Sequence, residues 1–157
     1  MIRGFPNGET RWRKPPASGN WLVVARNWYN LECMRTYKEL DVYKRSYTLA
    51  VRIHRLSLKL PREYKFELAD QIRRASRSIP SNIAEGFGRG KSKKDTISHL
   101  RDSLGSNDEM PFNIEFMKDV NLIANETFHE LFDEYTITGK QLTGLIRSLE
   151  LPETSNQ

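Results

Sequence analysis

Apolar residues recur at steps of three and four along most of the chain after residue 36, which is the spacing of one face of an α-helix. No stretch alternates apolar and polar residues for long enough to form a strand. The pattern falls into four segments with short connections between them. It therefore predicts an all-α, antiparallel four-helix bundle.

The first two predicted helices run from Tyr37 to Leu60 and from about Arg62 to Glu85. Pro61 ends the first, and Pro80 lies inside the second, where it removes one backbone hydrogen bond and predicts a kink. The inward face predicted for the first helix consists of Leu40, Tyr43, Tyr47, Ala50, Val51 and Leu58, widened by Val42, Leu49, Ile53 and Leu56, with His54 packed beside them. The inward face predicted for the second consists of Phe66, Ala69, Ile72, Ser76, Ile79 and Ile83.

Ser92 followed by Asp95 resembles a capping box and predicts the start of a third helix. Asn107 falls where an apolar residue is expected, and Pro111 predicts a second bend. The inward residues predicted for this helix are Ile97, Leu100, Leu104, Phe112, Phe116 and Val120. The fourth helix is the most regular, with Phe128, Leu131, Tyr135, Thr138, Leu142, Leu145 and Leu149. Its Gly139 and Gly144 are expected to let a neighbouring helix approach closely.

Residues 1–35 are rich in glycine and proline and lack periodicity, so we expect a disordered tail. Periodicity begins just after Met34, which suggests that methionine as an alternative start of the protein. The bundle is predicted over residues 36–150, followed by a short tail at 151–157. No apolar run reaches the about 20 residues of a membrane span, and a single cysteine fits a reducing compartment, so we expect a cytoplasmic protein without membrane contact.

Charge is divided unevenly along the chain. The formal net charge is +5, but residues 36–94 hold fifteen basic and six acidic residues, whereas residues 95–157 hold four basic and twelve acidic ones. Clustered cations bind phosphate backbones through counterion release. The candidate nucleic-acid-binding residues are Arg45, Arg52, Arg55, Lys59, Arg73, Arg74, Arg77, Arg89, Lys91, Lys93 and Lys94. The alternatives are solvated faces, or contact with the acidic half of a neighbouring subunit in a closed ring.

One segment within the second helix is distinctive. It consists of Ser78, Ile79, Pro80, Ser81, Asn82, Ile83, Ala84, Glu85 and Gly86, and it is preceded by Gln71-Ile72-Arg73-Arg74-Ala75. It resembles the signature of the four-helix-bundle proteins named after the intervening sequences of 23S ribosomal RNA genes. Further similarity lies at Tyr37 to Leu40, Gly88-Arg89, Ser92 to Lys94, Leu104 to Ser106, Glu109, Gly139, Leu142, Gly144 to Ile146 and Ser148-Leu149. Asn107, where the family prefers leucine, and Pro111 depart from the pattern.

This resemblance implies a homopentameric ring of four-helix bundles. Accessory proteins of diversity-generating retroelements are related in fold, bind nucleic acid and partner a reverse transcriptase. The expected partners are therefore further copies of the chain, RNA or DNA, and a protein such as a reverse transcriptase.

Motifs for catalysis are incomplete. The run from Gly86 to Ser92 ends like a phosphate-binding loop, but it has three residues instead of four between Gly86 and Gly90, and it follows a helix. Glu126 and His129 form one Glu-x-x-His pair, without the second pair of a di-iron bundle. We expect no enzyme activity, no cofactor and no metal. The sequence thus predicts a non-enzymatic, homo-oligomeric, nucleic-acid-binding accessory protein, with a structural scaffold or protein-partner adaptor as the alternative.

Overall fold

The computed structural model describes residues 36–88 and 92–151, and this part of the chain is a bundle of four α-helices without strands. Helix α1 spans Asp41–Ser57, α2 spans Leu68–Gly88, α3 spans Lys93–Asp119 and α4 spans Asn125–Glu150. Single-turn 3-10 helices at Tyr37–Glu39 and Arg62–Tyr64 precede α1 and α2. The predicted all-α, four-helix class is confirmed. The predicted N-terminal tail, residues 1–35, lies outside the described residues, as does nearly all of the predicted C-terminal tail.

Helix α1 faces the core only partly as predicted. Val42, Leu49, Ala50 and Ile53 are buried as predicted, whereas Tyr47 is 56% exposed and Leu58, just after the helix, is also exposed. The buried face includes two serines, and these bond to carbonyl oxygens of their own helix: Ser46 Oγ donates to Tyr43 O at 3.0 Å and Ser57 Oγ donates to His54 O at 2.7 Å. Because both hydroxyls form hydrogen bonds within the helix, they can be buried. Serines are polar, so the sequence does not identify them as residues of the inward face. His54, predicted to be packed, is exposed.

Helix α2 begins at Leu68 instead of Arg62, so Phe66 precedes the helix and is 86% exposed instead of buried. The other inward residues predicted for α2 are buried, namely Ala69, Ile72, Ser76, Ile79 and Ile83.

Helix α3 runs without interruption from Lys93 to Asp119 and includes Pro111. Ser92 Oγ accepts the backbone N–H of Asp95 at 3.2 Å, which confirms the predicted helix start. The prediction that Phe112 and Phe116 face inward is wrong, since both are exposed and the second half of the helix buries other residues, namely Met110, Asn113, Ile114 and Met117. The inward face of α3 includes the buried Asn107 and Asn113. Because these residues are polar, the apolar pattern of the sequence does not show which side of the helix faces the core. Bends at Pro80 and Pro111 remain predictions, since both residues lie within continuous helices.

Helix α4 follows the prediction most closely, with Leu131, Tyr135, Thr138, Leu142 and Leu149 buried. A Cβ atom at Gly139 would lie 2.9 Å from Nδ2 of Asn107 on α3, which confirms the close approach expected there. A Cβ atom at Gly144 would meet no described atom within 4 Å, so the same expectation is wrong for that glycine within the described chain.

The family-like segment of α2 is the surface that α3 packs against. Ser78 Oγ accepts from Asn82 Nδ2 at 3.0 Å and from Ser106 Oγ of α3 at 2.9 Å. At the end of α2, Thr96 Oγ1 donates to the Gly86 carbonyl oxygen at 2.9 Å. A Cβ atom at Gly86 would lie 3.1 Å from the Cβ of His99, so only a residue without a side chain fits easily. These contacts give the segment a structural role, because they hold α2 against α3.

Candidate nucleic-acid interface

Two of the candidate cations on α1 are neutralised by α4 of the same chain. Arg45 forms an ion pair with Glu134, and Arg52 forms one with Glu130. One alternative left open by the sequence is that the basic half of the chain meets the acidic half of another subunit. The fold brings part of the two halves together within one chain.

Four candidate cations are exposed and form no ion pair with any residue in the described ranges 36–88 and 92–151. They are Arg55 on α1, Lys59 just after the end of α1, Arg77 on α2 and Lys94 on α3. Their positive charge is therefore available to a ligand.

Arg73 and Arg74 share one carboxylate, that of Asp70, with nitrogen–oxygen distances of 3.7 Å and 2.8 Å. Arg73 is partly buried and also donates to Ser57 Oγ at 3.5 Å, so it links α2 to α1. Arg74 is mostly exposed, so water screens its pairing with Asp70 and the guanidinium remains accessible.

The loop cations lie apart from these. Lys93 Nζ donates to the carbonyl oxygen of Leu151 at 3.2 Å, and Lys94 is exposed. Arg89 and Lys91 lie outside the described residues. Gly88, where α2 ends, is about 16 Å along the helix from Arg77, since each helical residue rises about 1.5 Å. Among the described candidates, Lys93 and Lys94 in the first turn of α3 therefore form a group apart from the cations on the α1–α2 face.

A groove of about 660 Å³ runs between α1 and α2. Its lining includes Tyr43, Tyr47, His54, Arg55, Arg74 and Arg77. A neighbouring groove of about 610 Å³ lies on the other side of α1, and its lining includes Arg52, Lys59 and Thr127. Tyr47, Val51 and Arg55 line both grooves. We call the two grooves together the cationic face.

Aromatic side chains form part of the cationic face. The rings of Tyr43 and Tyr47 are stacked, with centroids 6.1 Å apart and planes inclined by 25°. Tyr37 meets Tyr43 edge to face, with centroids 4.8 Å apart. Partial burial, and then the neighbouring Tyr37 and Tyr47, raise the pKa of Tyr43 above its ordinary value, so this hydroxyl is neutral at physiological pH. Sequence reasoning missed Tyr47 as a surface residue, although its spacing of four from Tyr43 was a signal that the rings stack.

Other chemistry has little support in the part of the chain that the structure describes. No group of three His, Cys, Asp or Glu residues there is arranged to hold a metal ion, and both Glu126 and His129 are exposed. No described helix is both long enough and apolar enough to cross a membrane.

Fold and surface define a helical-bundle protein in which Arg55 and Arg77, without an acidic partner among residues 36–88 and 92–151, line a groove together with the exposed Tyr47. Residues 38–144 match the family described as 23S rRNA-intervening sequence protein, and the chain belongs to this family. It is similar to a crystal structure, at 1.70 Å resolution, of a protein with unknown function from the S23 ribosomal protein family of Bacteroides thetaiotaomicron VPI-5482. The two chains are 30% identical with a TM-score of 0.62, over 68% of this chain and 95% of that one. A comparison with curated proteins finds no match.

Proposed function

We propose that this protein is a non-enzymatic, cytoplasmic accessory protein that binds nucleic acid through its cationic face. The observation that carries the proposal is the exposure of Arg55, Lys59 and Arg77 without an acidic partner among the described residues. Phosphate groups would supply the missing negative charge, and release of their counterions would drive binding.

Family membership supports RNA as the first ligand to test. The family is described by an intervening sequence of 23S rRNA, and the similar crystal structure is assigned to a ribosomal protein family. The resemblance to retroelement accessory proteins adds DNA and a reverse transcriptase as further proposed partners.

The test is fluorescence anisotropy of labelled RNA and DNA with the full chain over a series of salt concentrations. Neutralising three phosphates should make the logarithm of the association constant fall with the logarithm of salt concentration, with a slope of about −2 to −3. The double variant Arg55→Glu with Arg77→Glu should weaken binding to every sequence.

A matched control is available on α4, where Lys140 and Arg147 are also exposed. The double variant Lys140→Glu with Arg147→Glu makes the same change in net charge and should retain most of the affinity. Equal loss in both double variants would show that only net charge matters and would contradict the assignment of the face. Absence of binding by the wild-type protein at low salt would contradict the function.

Self-assembly is the second candidate, and exposed aromatic residues on α3 favour it. Phe112 is 70% exposed, and together with Phe116 it lines a groove of about 300 Å³ that also includes Glu63 and Glu67. An apolar surface with an acidic rim is complementary to a cationic face on another copy, and such head-to-tail contacts close into rings. The resemblance suggests a pentamer in which the charges serve assembly only.

Native mass spectrometry of the wild type and of Phe112→Ser with Phe116→Ser tests this candidate. A wild-type oligomer that dissociates in the double variant would support it. A wild-type monomer, or an oligomer that the substitutions leave unchanged, would contradict it.

A further inference from the structure

Tyr47, Val51 and Arg55 form a ridge along α1 between the two grooves of the cationic face. They follow one another at steps of four, so they lie on one side of the helix. Tyr47 and Arg55 are about 12 Å apart along the helix axis. The ridge thus places an aromatic ring in line with a guanidinium that has no ion-pair partner in the described part of the chain.

The ring of Tyr47 is supported from one side and open to solvent. It stacks on Tyr43, which in turn packs against the edge of Tyr37. More than half of Tyr47 remains exposed. Since its neighbour restricts its motion, a flat ligand that stacks on it loses less conformational entropy than it would on a free side chain.

Cations line both of the grooves that flank this ring. Arg74 and Arg77 line the groove toward α2, and Arg52 and Lys59 line the groove on the other side. Arg52 is paired with Glu130 and Arg74 with Asp70, so each groove keeps one cation without an ion pair in the described chain besides Arg55, namely Arg77 toward α2 and Lys59 on the other side. The groove toward α2 also holds Tyr43, on which Tyr47 stacks, so a polyanion in that groove would contact Arg55 and Arg77 while it passes Tyr47.

We infer that this ridge binds unpaired nucleotides, with a base stacked on Tyr47 and phosphates held by Arg55 and Arg77. The inference rests on the proposed function and adds the form of nucleic acid that the face selects. Unpaired bases have free π-faces that stack on aromatic side chains, whereas the bases of a duplex are stacked on one another. Cations alone would suffice for a duplex or for an acidic protein segment, and neither of these would use the exposed ring.

The experiment measures binding of the full chain to single-stranded RNA, single-stranded DNA of the same sequence, and the duplex of equal length. Tyr47→Ala should weaken binding to the single strands by about 5- to 150-fold and leave the duplex nearly unaffected. Tyr47→Phe keeps a ring for stacking and should retain the affinity. Equal affinity for the two single strands would indicate recognition of the base faces, and preference for RNA would add a contact to the 2′-hydroxyl.

The matched control is Phe132→Ala on α4. Phe132 packs against Phe128 at the same spacing of four, with ring centroids 5.4 Å apart, and it lies in the acidic half of the chain. Its loss should leave binding unchanged. Circular dichroism and native mass spectrometry of each variant establish that fold and assembly are intact before affinities are compared.

The outcomes separate this inference from the proposed function. If Arg55→Glu with Arg77→Glu abolishes binding but Tyr47→Ala acts no differently from Phe132→Ala, the cationic face stands and the stacking site is refuted. Equal affinities for duplex and single strand, both insensitive to Tyr47→Ala, refute it as well. If the wild type binds none of the three nucleic acids but binds an acidic peptide, both ideas fail and the face recognises protein.

Discussion

Gly139→Ala is expected to destabilise the protein, although alanine normally favours a helix over glycine by about 1 kcal/mol. The new Cβ atom would lie 2.9 Å from Nδ2 of Asn107. Asn107 is only 3% exposed, and its Nδ2 donates to the carbonyl oxygen of Tyr135 at 3.1 Å. The amide must move away from the methyl group, and in doing so it loses this hydrogen bond.

The expected magnitude follows from these two opposing effects. A buried polar group without its partner costs about 1–3 kcal/mol, so Gly139→Ala should lower the free energy of unfolding by about 0–2 kcal/mol. Gly144→Ala on the same helix is the matched control, because a Cβ atom there meets nothing within 4 Å of the described chain. It should raise the free energy of unfolding by about 0.5–1 kcal/mol. Urea unfolding should therefore separate the two variants by about 1–3 kcal/mol.

A double-mutant cycle with Asn107→Ala identifies the cause. In that background the amide is absent, so Gly139→Ala should become stabilising by about the amount seen for Gly144→Ala. The reasoning is refuted if Gly139→Ala is as stabilising as Gly144→Ala with Asn107 present. It is refuted equally if the substitution remains destabilising once Asn107 has been removed.

Three further measurements probe the bundle. Burial raises the pKa of Tyr135 far above its ordinary value of about 10. At a pH above about 10 the hydroxyl therefore ionises in the unfolded chain but stays neutral in the folded protein. Since this favours the unfolded state, the free energy of unfolding should fall as the pH rises beyond about 10. Tyr135→Phe removes a buried hydroxyl that has no hydrogen-bond partner in the described chain. In urea unfolding, the variant should be no less stable than the wild type at neutral pH, and its free energy of unfolding should fall less at high pH. An equal fall at high pH in the variant and the wild type would contradict this prediction. Ser92→Ala removes the hydroxyl that accepts from the Asp95 N–H, so it should lower the free energy of unfolding by about 1 kcal/mol. Urea unfolding should show a lower midpoint with the same dependence of free energy on urea concentration. An unchanged midpoint would show that this cap does not stabilise the protein. The Arg52–Glu130 ion pair is partly exposed, so a double-mutant cycle should give a coupling free energy of about 0.2–1 kcal/mol. Added salt should reduce this coupling free energy, and a value that does not change with salt would contradict the prediction.

The success of prediction from sequence differs among the helices for a physical reason. Helix α4 was predictable because Thr138 is the only residue of its predicted inward face that lacks a mainly apolar side chain. The inward face of helix α1 was predicted only in part, because Ser46 and Ser57 are buried while they bond to their own helix. In α3 the buried Asn107 donates to a carbonyl oxygen of α4, 28 positions along the chain, and no local pattern reveals such a partner.

The sequence predicted most of the residues of the candidate site, but it did not predict which of them are exposed and which form ion pairs. Arg45, Arg52 and Arg55 belong to one polar stripe of α1, and nothing near them in sequence distinguishes the paired from the unpaired. Tyr47 was predicted to be inward because its ring is apolar, yet the packing of α1 leaves it exposed.

The sequence by itself determined the helical class, the four segments and the family-like segment of α2. Helical periodicity, helix caps and glycine signals depend on residues that are close in sequence, so they can be recognised from the sequence alone. Only the tertiary structure decided which cations are available, because the partners of Arg45 and Arg52 lie 89 and 78 positions away. Packing of α4 against α1 neutralises these two arginines and leaves Arg55 with Tyr47 on the open surface.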